Sequence, residues 1–344
     1  MSEELERTLG ALLSPRRAPP GIAGPWKHVA EFACRPGKRL RPALLQIGWR
    51  AAGGRARAPR GVQRFGAGLE LLHAFFLAHD DIADGADTRR GGPALHHLLG
   101  AGKLGENLAV VAGDLLFVEA IDAMLSCRLA GAARALSEVL AVCRHTAAGQ
   151  YLDLAFADAD LRDVLPSAAR RAAMLKTARY SFEAPLTAGA MLAEGDGALV
   201  EALRTVARPL GLAFQLQDDL LPFYVGDSAG KPALADLAGG KKTWLMTLAF
   251  RALDEMGRAR LRRCLREADA AALAEAAQLL RSCGAIAQVE REVVKLCRTS
   301  QSAAANPALS RVQCELVQAI SRVQSPVHPA ASSAQRPRVA AERT

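Results

Sequence analysis

The sequence predicts an all-α protein, and three observations carry that expectation. Ala, Leu and Arg dominate the 344 residues while aromatic residues make up only 5%, a composition of helix formers and small packing residues rather than of strand formers. From Trp26 to about Ile320, apolar residues recur at helical spacing, and no stretch sustains the period-two alternation of a sheet. The breaks between these segments fall at Gly53-Gly54, Gly91-Gly92-Pro93, Gly100 to Gly105, Asp158 to Pro166 and Gly226 to Gly240, all of turn-forming composition.

Taken in order, residues 1–25 contain Pro15, Pro19, Pro20 and Pro25 and read as a short helix followed by an irregular lead-in. Residues 26–324 read as one helical domain, and with half of the chain hydrophobic it has enough apolar surface for a large core. Phe65 to Asp81, Leu108 to Cys127 and Leu199 to Leu216 are apolar around much of their circumference, the mark of buried central helices. The last stretch, 325–344, is rich in Ala, Ser, Pro and Arg and reads as a disordered tail.

Several function classes are set aside by composition. The net charge of +9 is spread over Arg35 to Arg60, Arg258 to Arg266 and the tail, without a zinc finger, an RNA-binding motif or an aromatic-rich basic groove. A solvated helical surface and an anionic substrate account for it, so no nucleic-acid partner is expected. The best membrane-span candidate, Leu108 to Leu125, is broken by Asp114, Glu119 and Asp122. The acidic start Met1-Ser2-Glu3-Glu4-Leu5-Glu6 lacks a signal-peptide core, and a cytoplasmic location is expected. Seven scattered cysteines with no C-x-x-C pair argue against a disulfide framework or a zinc site.

The chemistry concentrates in four runs. Gly37-Lys38-Arg39-Leu40-Arg41-Pro42 sets Lys38 and Arg41 three apart, on one helix face or on the turn leading into a helix, where together they can grip a diphosphate or simply cap the helix. Phe75-Phe76-Leu77-Ala78-His79-Asp80-Asp81-Ile82-Ala83-Asp84 ends an apolar helix in three carboxylates, with Asp80 and Asp84 one turn apart. Acids at the negative end of a helix dipole each cost about 0.3–1 kcal/mol. Such a cluster calls for a counter-charge, and its oxygen ligands suit a hard cation such as Mg²⁺. Next, Arg89-Arg90-Gly91-Gly92-Pro93 places adjacent arginines at a turn, able to reach two anions or to neutralise acids such as Asp87. Finally, Phe214-Gln215-Leu216-Gln217-Asp218-Asp219 repeats the form of Phe76 to Asp81, a second apolar helix ending in paired aspartates.

These runs, in this order, together with Gly149-Gln150-Tyr151-Leu152-Asp153, Lys176-Thr177, Gly230-Lys231-Pro232 and Asp236 through Lys241-Lys242-Thr243, resemble the trans-isoprenyl diphosphate synthases of the polyprenyl synthetase family, of the short-chain farnesyl or geranylgeranyl type. The resemblance implies an isoprenoid synthase-type helical bundle around a deep central cavity, built as a homodimer. It implies head-to-tail condensation of isopentenyl diphosphate with an allylic diphosphate. Asp80, Asp81, Asp84, Asp218 and Asp219 match the metal ligands, for three Mg²⁺. Arg89, Lys176, Lys231 and Lys241 match the allylic diphosphate site, and Lys38, Arg41, His73 and Arg90 the isopentenyl diphosphate site. Thr177 and Gln215 match the oxygen dipoles that support the allylic cation.

His73 lies two turns before Asp80 on roughly the same helix face, which is the spacing the family shows. Phe75 and Phe76, just below the first aspartates, match the floor that stops elongation and imply farnesyl diphosphate, with geranylgeranyl and geranyl diphosphate as the other products of this type. One departure is Pro222, where many members carry a third aspartate, and it is expected to end or kink its helix. Two other readings share parts of the pattern. A non-catalytic subunit of a heteromeric synthase would be expected to lose aspartates or arginines that this chain keeps. A class I terpene cyclase would need an Asn/Ser/Glu metal motif, and asparagine occurs only at Asn107 and Asn306.

Overall fold

The computed structural model describes residues 3–225, 237 and 239–325. Helices account for nearly all of its regular structure. They are α1 Glu3–Leu12, α2 Ala23–Cys34, α3 Leu40–Ala51, α4 Arg60–Ala83, α5 Leu95–Leu99, α6 Gly102–Leu125, α7 Ala132–Asp158, α8 Pro166–Ala173, α9 Ala184–Leu192, α10 Gly197–Leu220 and α11 Pro222–Val225. After the 226–236 stretch come α12 Trp244–Ala252, α13 Glu255–Glu267, α14 Ala270–Ser282, α15 Ala285–Ala304 and α16 Gln313–Gln324. The expected tail lies outside the described residues apart from Ser325. None of the described helices is long and apolar enough to cross a membrane.

Besides two short 3-10 helices, Pro15–Arg17 and Pro307–Val312, a π-helix and a β-ladder depart from the α-helical pattern among the described residues, and neither of these has a signature in hydropathy. Residues Met174–Glu183 form a π-helix between α8 and α9, a geometry that is rare and recurs at functional sites. Thr88–Arg89 (β1) and Gly92–Pro93 (β2) form a two-residue antiparallel ladder, too short for alternation to register. Its tip residues, Arg90 and Gly91, take φ values of 50° and 76°, the left-handed pair that a tight hairpin turn requires.

The core is layered around α4 and α10. α4 packs most extensively on α6, and α10 on α15 and the π-helix. Phe65, Leu69, Leu71 and Leu72 of α4 and Leu203, Leu210, Leu212 and Leu216 of α10 have no measurable exposure. At roughly 1.5–3 kcal/mol per fully buried side chain, such residues supply the driving force for the bundle. Glycines set the closest approaches. A Cβ on Gly149 of α7 would lie 2.3 Å from the Lys176 backbone nitrogen, and one on Gly211 of α10 would lie 2.4 Å from the Ala178 carbonyl oxygen. The π-helix is therefore gripped on two sides by helices that lack a side chain at the contact.

The structure corrects one expectation from hydropathy. α6 is buried on one face only: Ala109, Ala112, Leu116, Ala120 and Ala123 face the core, while Leu104, Leu108, Val111, Val118 and Leu125 are exposed. The exposed set is spaced by four, three, seven and seven residues, which puts an apolar stripe along the outer side of the helix. Apolar composition on all sides thus combines a face buried in this chain with an exposed one. α1 is docked rather than loose, with Leu5, Leu9 and Leu12 buried.

Candidate active site

Three helices end at the same place. α4 terminates through Gly85, at φ 60°, with the Ala86 N–H donating to the Asp81 carbonyl at 2.8 Å and the Asp84 N–H to the Asp80 carbonyl at 2.8 Å. This glycine cap stops the helix directly after the aspartates and leaves their carboxylates at its open end. α7 brings Asp153 into its last turns, and α10 brings Asp218 and Asp219 to its end. After Leu220 the chain turns, and Pro222 begins the separate short helix α11, so the helix break expected at Pro222 is present.

Each acid of the first run is met by a different cation. Lys176 Nζ, on the π-helix, lies 3.1 Å from Asp80 Oδ1 and donates to Asp153 Oδ2 at 2.7 Å. The fully buried Asp81 accepts from the Arg89 Nε at 2.7 Å, and Nη2 of the same guanidinium reaches the same oxygen. Lys241 Nζ donates to Asp84 Oδ2 at 2.8 Å. On the second run, the Gln215 amide donates to Asp219 Oδ1 at 2.8 Å. Asp219 and Lys241 also line one small cavity, with Pro222, Phe223 and Thr243. Lys241 thereby connects the two aspartate runs.

The electrostatics follow from this pairing. Burial opposes the charge on Asp80, but Lys176, Lys241 and Arg89 outweigh it and hold its carboxyl below the ordinary carboxylate value. Burial likewise works against the Lys176 ammonium, and Asp80 and Asp153 more than offset it, raising its pKa. Asp80 and Lys176 thus each hold the other in its charged form, and acids and cations are interleaved across the site. Among the described residues, no three acidic, histidine or cysteine side chains converge closely enough to hold an ion by themselves. Mg²⁺ is commonly held by one or two carboxylates plus phosphate oxygens of a substrate rather than by an all-protein cage. An oxygen-only donor set divided between two helix ends fits that mode.

A second basic group lies beside the first. Arg41 Nη2 donates to the buried Ser181 Oγ at 2.8 Å, and its guanidinium carbon sits 4.6 Å from the centre of the Tyr180 ring. Its Nε is buried without a hydrogen-bond partner. His73 packs near the same ring, at 6.3 Å between centroids. Burial, then Arg41, Arg90, Arg89 and Arg39, push the His73 imidazole well below its ordinary pKa, so it is neutral at pH 7. Arg90 is pushed below its usual value by burial and by Arg39, Arg41 and Arg89, although Glu70 pulls the other way. So many cations crowded together favour an anion among them. Lys38 is exposed at the edge of this group.

Phe75 and Phe76 sit one turn below the acids and point to different neighbours. The Phe75 ring lies 4.7 Å from His79 and 5.3 Å from Phe117 of α6, and the Phe76 ring lies 4.9 Å from Tyr180. Thr177 follows Lys176 on the π-helix and is half-buried. Lys231 lies outside the described residues. The charge partners Asp153, Ser181 and Tyr180 were not singled out by sequence; Asp153 alone had a signal, as the last residue of the Gly149 to Asp153 run. A broad cleft bounded by Trp49, Arg55, Arg57, Arg60, Leu129 and Glu194 opens at the other end of α4 and contains none of these motifs.

Comparison with known proteins places this arrangement among relatives. The family described as polyprenyl synthetase matches residues 26–282. A short chain isoprenyl diphosphate synthase of Methanothermobacter thermautotrophicus is 36% identical over 254 residues, covering 72% of this chain and 74% of that protein. A (2E,6E)-farnesyl diphosphate synthase of Mycobacterium bovis is 34% identical, over 61% of this chain and 56% of that protein's length. Among solved structures, a geranylgeranyl pyrophosphate synthase of Corynebacterium glutamicum, complexed with isoprenyl diphosphate and magnesium, superposes with a TM-score of 0.80 at 27% identity. That match covers 94% of this chain and 98% of the other.

Proposed function

Because the chain belongs to the polyprenyl synthetase family, we propose that it is a Mg²⁺-dependent short-chain trans-prenyltransferase joining isopentenyl diphosphate head-to-tail to an allylic diphosphate. One observation carries this reading: at the junction of three helix ends, Asp80, Asp81 and Asp84 are each paired with a different cation, Lys176, Arg89 and Lys241. A site built in this way can accept a highly charged substrate and its counter-ions without any side chain acting as a nucleophile.

Asp80, Asp81 and Asp84 from α4, with Asp218 and Asp219 from α10, are the residues that would hold three Mg²⁺. Bound there, Mg²⁺ supplies charge neutralisation to the departing diphosphate. Arg89, Lys176, Lys231 and Lys241 orient the allylic diphosphate and stabilise the negative charge that grows as its carbon–oxygen bond breaks. The amide of Gln215 is committed to Asp219, which leaves its carbonyl oxygen, with the Thr177 hydroxyl, to face the allylic cation. Lys38, Arg41, Arg90 and the neutral His73 hold isopentenyl diphosphate, whose double bond attacks the cation. The proton lost in forming the new double bond passes to the released diphosphate. Holding both substrates in register and excluding water are the remaining contributions.

The Phe75–Phe76 pair supports an early stop, at farnesyl diphosphate. The exposed apolar stripe of α6 supports a homodimer formed through that face. The test is to incubate the purified chain with Mg²⁺, isopentenyl diphosphate and each allylic diphosphate in turn, reading products by mass spectrometry. A linear fifteen-carbon diphosphate is expected. Activity only on addition of a second protein would make this a non-catalytic subunit, and a cyclised hydrocarbon from an allylic diphosphate alone would make it a terpene cyclase.

A further inference from the structure

Arg35 stands just before the Lys38–Arg41 run and is buried. Its guanidinium is spent on the protein itself. Nε and Nη2 donate to the two oxygens of Glu31, each at 2.8 Å, and Nη1 donates to the backbone carbonyls of Arg89 and Pro93, both at 2.8 Å. Four of the five N–H groups of a guanidinium are thereby engaged, which removes Arg35 as an anion ligand. The two carbonyls belong to one residue of each strand of the β1–β2 hairpin, Arg89 of the inner pair and Pro93 of the outer pair. The fit is close on the hairpin side, since a Cβ on Gly92 would lie 2.7 Å from the Arg35 guanidinium carbon.

The opposite edge of the same contact is formed by Arg90, at the hairpin tip. Its guanidinium carbon lies 3.3 Å from where a Cβ on Gly37 would be, next to Lys38. The 35–38 loop and the 88–93 hairpin therefore meet along two lines, Arg35 behind and Arg90 in front. No backbone–backbone hydrogen bond forms within the 35–38 loop, and the hairpin's own ladder is only two residues per strand, closed by the Ala94 N–H on the Asp87 carbonyl at 2.8 Å, so neither segment fixes the position of the other.

We propose that Arg35 is a positioning residue which clamps the hairpin so that Arg90 is held beside Lys38 before isopentenyl diphosphate arrives. The clamp rests on the prenyltransferase reading for its consequence, but its structural part does not. Arg89 is held separately, by Asp81, so loosening the hairpin falls on Arg90 and hence on one substrate.

Five variants and two measurements test this. In Arg35→Ala, KM for isopentenyl diphosphate rises on the order of tenfold, in line with the cost of a misplaced binding group, while kcat and KM for the allylic diphosphate stay within about twofold. Arg35→Lys does not rescue, because an ammonium cannot span Glu31 and both carbonyls. In Arg35→Ala/Arg90→Ala, KM for isopentenyl diphosphate equals that of Arg90→Ala alone, because the clamp acts through Arg90. Equal rises in both KM values, or a double variant in which the two effects multiply, would overturn the proposal.

The second measurement needs no turnover. Amide hydrogen exchange across residues 87–94, read on the folded wild-type chain and on Arg35→Gln, is expected to accelerate in the variant, and unchanged protection would also overturn the clamp. A wild-type chain that neither turns over nor binds isopentenyl diphosphate, yet shows the accelerated exchange in Arg35→Gln, would sink the prenyltransferase reading and leave the clamp standing.

Discussion

Truncating Phe76 to alanine tests the elongation stop most directly. The ring sits 4.9 Å from Tyr180 and 4.9 Å from Phe75, with both phenylalanines only partly buried against the core. Removing it takes away six ring carbons and opens a space on the order of 100–150 Å³, the size that accommodates a benzene molecule. One further isoprene unit has five carbons, so the space admits about one additional condensation. Because Tyr180 stands behind Phe76 and Phe117 behind Phe75, each single variant gains one unit, and Phe75→Ala/Phe76→Ala gains about two. The stability cost is expected at roughly 1–3 kcal/mol, below the 3–5 kcal/mol of a fully buried Phe→Ala change. Products from isopentenyl diphosphate and geranyl diphosphate are extracted, dephosphorylated and sized by mass spectrometry. An active Phe75→Ala/Phe76→Ala enzyme with the wild-type product length would refute the floor.

Other outcomes follow from the same geometry. Lys176→Met keeps the length of the stem but removes the ammonium shared by Asp80 and Asp153, and kcat should fall roughly 10²–10³-fold with the fold intact by circular dichroism. Glu183 is fully buried between Arg179, Arg204 and Arg208; burial opposes its charge, yet Arg179 and Arg208 hold its carboxyl below the usual glutamate value. Its contribution to stability is thus present above the unfolded pKa, near 4.3, and is lost as pH falls through the lower folded value. Glu183→Gln should cost roughly 3–5 kcal/mol at pH 7 and flatten this part of the acid limb in denaturant titrations at pH 3 to 6; an unchanged slope would count against the network. Charges placed in the α6 stripe by Val111→Glu and Val118→Glu should convert a homodimer to monomer in light scattering, and a wild-type monomer would remove the dimer proposal.

The helical architecture was legible because glycine, proline and polar clusters punctuate it, and the aspartate runs were legible because acids at two apolar helix ends are costly without counter-charge. Which cation answers which acid was not legible. Lys176 and Asp80 are brought together only by the packing of α4 on its neighbours, and no local pattern encodes that distance. The exposure of Val111 and Val118 was invisible for another reason: hydropathy measures what a side chain prefers, not which face of its helix the fold covers. The β1–β2 ladder escaped notice because two residues per strand are too few for a period to appear. The second basic group was visible as charge, but the neutrality of His73 is a property of its buried, arginine-rich surroundings.

The π-helix between Met174 and Glu183 makes register, rather than sequence alone, the quantity that must be preserved. Its i→i+5 bonding puts more residues into each turn than the α-helices on either side, and its backbone is fixed at Lys176 by Gly149 and at Ala178 by Gly211. A one-residue deletion there is expected to shift the segment towards α-helical register and turn Lys176 away from Asp80 and Asp153. A one-residue change in this stretch would act less like a shortened loop than like a frame shift in space, altering every contact downstream of the slip while leaving each residue's identity untouched.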